Sequence, residues 1–451
     1  MNHISADVII IGGGAAGLMA AAGAAQTLSS KKDDARVLVL EKMPRPGRKI
    51  MITGKGRCNF TNLKNWNEFS EHIHPKPGFL KSSFYNLTSE KMIEYLSNVG
   101  MESVVERGDR AFPVSHLASD VVDALARSAE YSGAEIICGK EVREISNKDG
   151  LYNIECSDST SYQGKKLIIC TGGLSYPKTG STGDGYKWAT DMGHSIKTLF
   201  PSLTAIVPSG YKDTTGLSKE RCIAKGHIDR STALSENGNL LCGNQLKNVG
   251  LSIVIDGNLA DEEFGDLDFT DGGLEGPIGF KMSRKCVNAL INGSKVQAII
   301  DMKPAVEIED LQVRIATLWN EIAKDKRSAN KLYKERFRIL LTKVLPMQLI
   351  PAFVKLNPNA DHKTLAKTLK AWKMEIEGFV GYERCVVTAG GVSLDELTPK
   401  TLESRLRPGL YFAGELLDLD GDTGGYNLQI AFSTGYLAGI SAAKQILSEL
   451  N

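Results

Sequence analysis

The chain has 451 residues, which is too long for one ordinary hydrophobic core and predicts roughly two or three packed units. Hydrophobic residues make up 42% and charged residues 24%, values that exclude a disordered or fibrous protein. Because 54 Lys and Arg face 53 Asp and Glu, the net charge of +1 gives no electrostatic reason to expect a nucleic-acid partner.

The N-terminal apolar run, residues 8–11, ends at three glycines and has no basic segment before it, so it does not fit a secretory signal. No stretch of the sequence is apolar for long enough to span a bilayer. The cysteines are scattered and form no C-x-x-C, which disfavours a zinc site or a dithiol pair and fits free thiols. We therefore expect a cytoplasmic protein that binds neither a metal nor a membrane.

Residues 1–200 have the element order of a doubly wound α/β domain. A buried strand at 7–11, an alanine-rich helix at 15–28 and a second strand at 36–40 form a parallel strand–helix–strand unit. Helices are predicted at 89–99 and 118–131. Short strands follow, which we expect to form a small meander closing onto the parallel sheet: 135–138, 142–146, 152–156 and 166–170.

The next segments interrupt that domain. Residues 201–305 contain short apolar runs broken by Gly, Asn and Asp, which predicts a β-rich insert. Residues 306–378 are predicted to be helical, with helices at 308–324, 328–342 and 362–375. A buried strand at 409–413 and a helix at 426–447 return to the opening pattern, so we assign residues 379–451 to the first domain.

The segment Gly12-Gly13-Gly14-Ala15-Ala16-Gly17 has the G-x-G-x-x-G spacing and lies between the first strand and the first helix. In such a fingerprint Gly12 permits the turn, Gly14 admits a pyrophosphate and Gly17 allows close packing of helix on strand. The helix N-terminus offers unpaired N–H groups to phosphates. Glu41 ends the second strand, where a carboxylate binds ribose hydroxyls. The pattern predicts a dinucleotide site; the alternative is a plain glycine turn.

A second glycine-rich and basic segment, residues 47–59, follows directly. Arg48, Lys49 and Arg57 are placed to neutralise a pyrophosphate, and Gly54 and Gly56 would let the backbone lie against a flat ring. The alternative is an exposed basic loop. Since the fingerprint alone does not separate NAD from FAD, this segment favours FAD.

The C-terminal segment, residues 413–431, is also rich in glycine and also lies between a strand and a helix. A strand ends at Gly414, Gly424 and Gly425 admit a ligand close to the backbone, and a helix starts at Tyr426. Such a helix end suits the N1/C2=O edge of a flavin, where negative charge gathers on reduction. Three alternating acids in the segment resemble part of a calcium loop, but the glutamate that should end the loop is a Gln: Asp418, Asp420 and Asp422.

Together these motifs resemble the BaiN-like (YhiN-like) family of NAD(P)/FAD-dependent oxidoreductases over nearly the whole chain. The segments that carry the resemblance are 12–17, 47–62, 110–113, 171–194, 388–392 and 414–429. It implies an α/β fold: a Rossmann-type FAD-binding domain, a doubly wound parallel sheet with a β-meander, split by an inserted β-barrel-like plus helical region.

The resemblance also implies non-covalent FAD, with Val142 beside the adenine. Further contacts are implied at Glu41, Lys42, Arg48, Lys49, Gly54, Arg57, Cys58, Asn59, Gly414, Glu415, Gly425, Tyr426, Asn427 and Leu428. We assign the start of the fourth segment to the same site: Thr171, Gly172 and Gly173.

Relatives in this family carry F-T-H-x-G-x-S-G-P in the insert, whereas residues 269–277 read F-T-D-G-G-L-E-G-P, with Asp271 and Glu275 at the His and Ser positions. If that loop shapes the substrate pocket, the substrates of relatives do not transfer to this chain. Tyr176 and Lys178, in a Gly/Pro/Ser/Thr loop, are weak candidates for a proton donor. His194 fits a satisfied histidine better than a catalytic one.

The expected function is FAD-dependent hydride transfer between flavin N5 and a small or medium organic substrate, in either direction. NADH or NADPH would be a transient donor, since no second G-x-G-x-x-G follows a strand after Gly17. The alternative is an FAD-binding redox sensor, or a flavoprotein that docks a partner. An RNA-modifying flavoenzyme is disfavoured by the near-neutral charge balance.

Overall fold

The structure is a computed structural model that describes residues 4–32, 34–215 and 225–450. The chain divides into two compact units. The first unit joins both ends of the chain, Met1–Phe200 and Val386–Asn451, and the second is Pro201–Cys385. No helix among the described residues is both long and apolar enough to cross a membrane.

The first part of the chain forms, in order, β1 (Ile4–Ile11), α1 (Ala15–Ser29), β2 (Val37–Glu41), β3 (Thr61–Asn62), α2 (Trp66–Ser70), β4 (Ile73–His74), α3 (Pro77–Asn86), α4 (Ser89–Asn98), β5 (Ser103–Glu106), β6 (Arg110–Pro113), α5 (Ala118–Tyr131), β7 (Ala134–Cys138), β8 (Val142–Lys148), β9 (Leu151–Cys156), β10 (Ser161–Ile169), α6 (Asp184–Asp191) and β11 (Ile196–Ser202). The middle part forms β12 (Ile206–Pro208), β13 (His227–Ile228), α7 (Glu236–Leu241), β14 (Gln245–Ile255), β15 (Asn258–Phe269), β16 (Leu274–Glu275), α8 (Gly276–Ile291), β17 (Val296–Asp301), α9 (Ile308–Lys324), α10 (Tyr333–Val344), α11 (Ile350–Leu356), α12 (Leu365–Lys370) and β18 (Trp372–Val380). The last part forms β19 (Val387–Val392), β20 (Leu410–Phe412), β21 (Asp420–Gly421) and α13 (Tyr426–Glu449).

The main sheet of the first unit has the strand order β7-β2-β1-β10-β9-β8, with β20 also paired to β10. The pairs among β7, β2, β1, β10 and β20 are parallel, whereas β8, β9 and β10 form an antiparallel meander. The meander is as predicted, except for its first member. The strand expected at 135–138 is β7, which pairs in parallel with β2 because α5 carries the chain back across the sheet.

Helices α1 and α13 run in the same direction and pack with their backbones in close contact. A Cβ at Gly435 would lie 2.1 Å from Ala16 O, and one at Gly439 would lie 2.1 Å from Ala20 O. Only glycine permits this approach. The first turns of α13 therefore extend beyond the start of α1.

The second unit contains a closed β-barrel, because β12 pairs with both β16 and β18 in the order β12-β16-β15-β14-β17-β18. The predicted barrel-like insert is thus confirmed. Helix α9 packs against α10 and α12, and all three helices lie between β17 and β18 in the chain.

Two predicted helices of the insert have different bounds. The helix expected at 362–375 ends at Lys370, since Trp372, Met374 and Ile376 are buried while their neighbours Lys373 and Glu375 are exposed, the period-2 pattern of β18. The helix expected at 328–342 begins only at Tyr333, where the Glu335 carboxylate accepts a hydrogen bond from Leu332 N.

Candidate functional site

A cavity opens in the first unit where the carboxyl ends of β1, β2 and β10 meet the starts of α1 and α13. This edge of a parallel sheet is the usual place for a ligand site in such folds. Most of the residues predicted to bind the cofactor line it: Gly12, Gly14, Ala15, Ala16, Glu41, Lys42, Arg48, Lys49, Val142, Thr171, Gly172, Gly414, Glu415, Asn427 and Leu428.

The other predicted residues do not line this cavity: Gly17, Gly54, Gly56, Arg57, Cys58, Asn59, Gly173, Gly425 and Tyr426. Gly17 has the packing role expected of it, since a Cβ there would lie 1.8 Å from Gly12 O. Arg57 pairs with Glu106 and lies 4.7 Å over the Phe112 ring. Burial raises the pKa of the Cys58 thiol to about 12, which makes it a poor nucleophile.

Sequence reasoning missed part of the wall. These residues are Ile11, Leu40, Gly47, Ile50, Thr53, Lys140, Cys170, Thr179, Gly180, Ser181, Asp184, Trp188, Val386, Val387, Leu419, Ile430 and Ala431. Several belong to the segments 47–62 and 171–194, so the family motifs contained a signal for them. The apolar wall residues carry no such signal, because an apolar residue at a cavity wall cannot be distinguished in the sequence from a residue of the hydrophobic core.

Glu41 is held by two backbone donors at the end of β2. Gly13 N donates to Oε2 at 2.6 Å and Met43 N donates to Oε1 at 2.7 Å. Burial raises the pKa of the Glu41 carboxyl, and these hydrogen bonds oppose the shift only in part. The neighbouring Lys42 is paired with Asp184 at 2.6 Å.

An ion pair in the cavity wall and the hydrogen bonds around it join four of the motif segments. Lys49 Nζ lies 2.5 Å from Glu415 Oε2, and Ser175 Oγ donates to Glu415 Oε1 at 2.6 Å. Thr388 N also donates to Oε1, at 2.9 Å, while Thr388 Oγ1 accepts from Leu174 N and Ser175 N. Lys49 and Glu415 were predicted to contact the cofactor, whereas Ser175 and Thr388 belong to motif segments but were given no role in the site.

Helix α13 meets the cavity at Asn427 and Leu428. Its N-cap is Gly425, with φ +98°, where a Cβ would lie 2.5 Å from the Thr61 backbone. No side chain caps the first turn, so its N–H groups are available to a ligand. The Asn427 side chain instead holds the preceding loop, accepting from Gly421 N at 2.8 Å and donating to Gly421 O at 2.7 Å.

The wall fits a dinucleotide. A Cβ at Gly14 would meet nothing within 4 Å, so the cradle at the start of α1 is open. Arg48 lies at the wall and has no ion-pair partner in the part of the chain that the structure describes. Thr171 Oγ1 is buried at the same wall without a hydrogen-bond partner. An open glycine cradle, a free cation and an unsatisfied hydroxyl suit pyrophosphate and ribose groups.

Residues 6–441 match the HI0933-like protein Rossmann domain. The chain belongs to the HI0933-like family. It is 29% identical over 423 residues to a 3-dehydro-bile acid delta(4,6)-reductase of Clostridium scindens, covering 91% of this chain and 94% of the relative. It is 31% identical over 410 residues to a ribosomal RNA dihydrouridine synthase of Escherichia coli, covering 89% and 90%.

Among solved structures, the 3-ketosteroid-delta4-(5alpha)-dehydrogenase of Rhodococcus jostii RHA1 matches with a TM-score of 0.44 and 15% identity, covering 98% of this chain and 97% of that one. The resemblance stated from the motifs is confirmed by the family match. This HI0933-like protein is an FAD-dependent oxidoreductase.

The three alternating acids of the HI0933-like protein do not form a calcium loop. Asp422 accepts from His72 Nδ1 at 2.8 Å and lies 3.4 Å from His74 Nε2. Within the described ranges, no group of three or more His, Cys, Asp or Glu side chains is arranged to hold a metal. Asp422 therefore fastens the loop before α13 to β4.

The remaining candidates are not among the residues that line the cavity. Tyr176 has a left-handed backbone, φ +52°, and Lys178 is exposed; neither lines the cavity. His194 is buried between Ser404 Oγ at 2.8 Å and Glu396 Oε2 at 3.2 Å, and burial lowers its pKa. Cys222 lies outside the described residues, and the other cysteines are free thiols.

The insert loop that departs from the family pattern surrounds a guanidinium. Arg384 donates to both oxygens of Glu275, with the Nη2 bond at 3.0 Å, and to Asp271 Oδ1 at 2.6 Å. Burial would lower the pKa of Arg384, but the bonds to these carboxylates outweigh it and raise that pKa. Asp271 and Glu275, the two residues that differ from the expected family pattern, thus hold the loop through charge pairs with Arg384.

Proposed function

We propose that this HI0933-like protein is a reductase that adds a hydride and a proton across a carbon–carbon double bond conjugated to a carbonyl. The observation that carries this proposal is a chemical feature shared by the bile-acid reductase and the dihydrouridine synthase. A 3-dehydro steroid with double bonds at positions 4 and 6 is a conjugated ketone, and the uracil ring that becomes dihydrouridine has its double bond conjugated to a carbonyl. Both relatives cover nearly the whole chain.

Bound FAD would supply the hydride from N5 and be reduced again by NADH or NADPH. The carbonyl withdraws electrons from the double bond, so the β-carbon accepts the hydride and the α-carbon takes a proton. The products are the saturated carbonyl compound and oxidised cofactor. We propose that the nicotinamide nucleotide binds transiently, because the chain has no second dinucleotide fingerprint.

The described residues would divide the binding task. Glu41 accepts hydrogen bonds from ribose hydroxyls, and Arg48 neutralises the pyrophosphate beside the open backbone at Gly14. The N–H groups of α13 at Asn427 and Leu428 stabilise negative charge near the flavin pyrimidine. The ion pair between Lys49 and Glu415 holds together the two segments of the cavity wall that carry these residues. Tyr176 and Lys178 stay as proposed proton donors.

The test is anaerobic. The yellow protein is reduced by NADH or NADPH in a stopped-flow instrument, then mixed with a 3-oxo-4-ene steroid, a uridine-containing RNA oligonucleotide, or the saturated 3-oxo steroid as matched control. We expect at least one conjugated compound to reoxidise the flavin with formation of the saturated product, and the control to leave it reduced. The proposal is wrong if the flavin stays reduced with every conjugated compound until dioxygen is admitted. It is also wrong if the saturated ketone reoxidises the flavin equally well.

A further inference from the structure

The near-zero net charge of the chain conceals an uneven distribution. Residues 324–373 contain 13 Lys and Arg but only 3 Asp and Glu, a formal charge of +10 in fifty residues. The rest of the chain has 41 Lys and Arg against 50 Asp and Glu, or −9. The expectation that no nucleic acid binds rested on the average of these two values, and that average says nothing about one segment.

Most of these cations are exposed and unpaired. Lys355 is paired with Glu236 at 2.6 Å and Lys370 with Asp301 at 2.6 Å, while Arg336 lies 5.3 Å over the Trp319 ring. The other ten are exposed, and no described residue forms an ion pair with them: Lys324, Lys326, Arg327, Lys331, Lys334, Arg338, Lys343, Lys363, Lys367 and Lys373. Five of them lie on the segment that joins α9 to α10 or on one side of α10, and we call these five side chains the basic face: Lys326, Arg327, Lys331, Lys334 and Arg338.

The members of the basic face are close together in the chain, on the segment between α9 and α10 and on one side of α10. Helix α9 packs against both α10 and α12, which carry most of the cations or flank them. Lys334 and Arg338 are one helical turn apart on α10, so they point the same way. The segment joining α9 to α10 adds Lys326 and Arg327.

Aromatic side chains lie among these cations. The Trp319 and His362 rings are stacked with centroids 4.4 Å apart, and Tyr333 lies 5.1 Å from Trp319. Tyr333 is 41% exposed and follows Leu332, which is 76% exposed. Cations beside the accessible Tyr333 ring form a combination that binds phosphates and stacks on unpaired bases.

We propose that the basic face is a docking surface for the sugar–phosphate backbone of RNA. The choice of RNA among polyanions rests on the proposed function, because the uracil ring of RNA carries the conjugated double bond that the flavin would reduce. The surface would bind the RNA independently of the reaction, through phosphate contacts that release counterions. Base stacking on Tyr333 would favour a looped or single-stranded region over a duplex.

The test compares two double charge reversals in the full-length, FAD-loaded protein. Lys334→Glu/Arg338→Glu alters the basic face, and Glu suits a helix interior, so folding is retained. Lys148→Glu/Lys444→Glu is the matched control, since both lysines are exposed and lie in the first unit. Binding is measured by fluorescence anisotropy with a labelled RNA hairpin over a series of KCl concentrations.

We expect the basic-face variant to bind the hairpin at least about tenfold more weakly, with a shallower salt dependence, and the control to stay within about twofold of wild type. Equal behaviour of the two variants would overturn the proposal. It would also be overturned if poly-glutamate competed as well as unlabelled RNA of equal charge. Flavin reduction by NADPH and turnover of a small conjugated ketone should be unchanged in both variants, so failure of RNA docking is distinguishable from failure of the proposed reduction.

Discussion

Lys49 Nζ lies 2.5 Å from Glu415 Oε2 although the two residues are 366 positions apart in the chain. The contact ties the segment after β2 to the segment before α13 at the wall of the cofactor cavity. Thr388 and Ser175 complete the hydrogen bonding of the Glu415 carboxylate. A partly buried carboxylate with three donors positions its neighbours more strictly than an exposed pair would.

Glu415→Gln should weaken FAD binding. The amide keeps an acceptor for Thr388 N but removes the charge that pairs with Lys49, and a charge-assisted hydrogen bond of this kind contributes about 1.5 to 3 kcal/mol. We therefore expect the Kd for FAD to rise about tenfold to a hundredfold. The ratio of flavin absorbance to protein after gel filtration shows how much FAD each variant retains. Glu403→Gln, which alters a glutamate that accepts from Gly409 N at 2.9 Å, is the control and should retain its flavin.

FAD affinity should fall on acidification because of Glu41. Its pKa is raised by burial, so the acid form persists to a higher pH than in an ordinary glutamate, and the acid form accepts ribose hydrogen bonds poorly. The folding stability of the apoprotein depends on pH with the opposite sign to FAD affinity. A raised carboxyl pKa stabilises the fold at low pH, and that contribution is lost as pH rises through the folded pKa. Titration of FAD across pH should show this dependence in wild type and a flat profile in Glu41→Gln. A similar slope in both proteins would contradict the assignment.

Gly425→Ala should destabilise the protein and reduce its FAD content. The residue combines φ +98° with a position where a Cβ would lie 2.5 Å from the Thr61 backbone. Gly133 is the matched control, since its φ is +97° and a Cβ there would meet nothing within 4 Å. Gly133→Ala should cost about 1 to 2 kcal/mol from backbone strain alone, and Gly425→Ala more, because the segment at Thr61 must shift. Thermal unfolding of the two variants separates backbone strain from the steric clash with Thr61. Equal losses of stability in both variants would show that the clash has no effect.

Asp422→Asn should make the folded state less stable at neutral pH but not at strongly acidic pH. Burial would raise the pKa of Asp422, but hydrogen bonds from His72 and His74 outweigh it and lower the pKa from 3.8 to about 2. A depressed carboxyl pKa stabilises the fold above the unfolded value and loses this effect as pH falls toward the folded value. The shift corresponds to about 2 kcal/mol. Denaturant unfolding at neutral pH and below pH about 3 measures the difference, which should shrink in acid.

Local patterns predicted much of the fold. The glycine fingerprint between β1 and α1, the acid at Glu41 and the helix that became α13 are properties of short segments, and the structure places them as expected. What sequence reasoning missed depends on distant partners. Thr388 begins a segment that the family resemblance includes, but its bond to Glu415 depends on β19 meeting the segment after β20 in the folded unit, which no local pattern shows. The end of the helix at Lys370 was missed because Trp372 and Lys373 fit either a helical or an alternating pattern until the partner strand β17 is known.

The strands by which the chain leaves and re-enters the first unit are neighbours. β11 pairs with β19, Ser393 N donates to Ser195 O at 2.9 Å, and a Cβ at Gly390 would lie 2.1 Å from Thr198 O, so Phe200 and Val387 end up side by side. The barrel and its helices are thus inserted between β11 and β19, two paired strands that a short turn could otherwise join as a hairpin. Because the insert begins and ends at two paired neighbouring strands, removing it would leave the strand order of the nucleotide-binding sheet unchanged. A chain in which a tight turn joins Phe200 to Val387 should still fold and turn yellow with FAD.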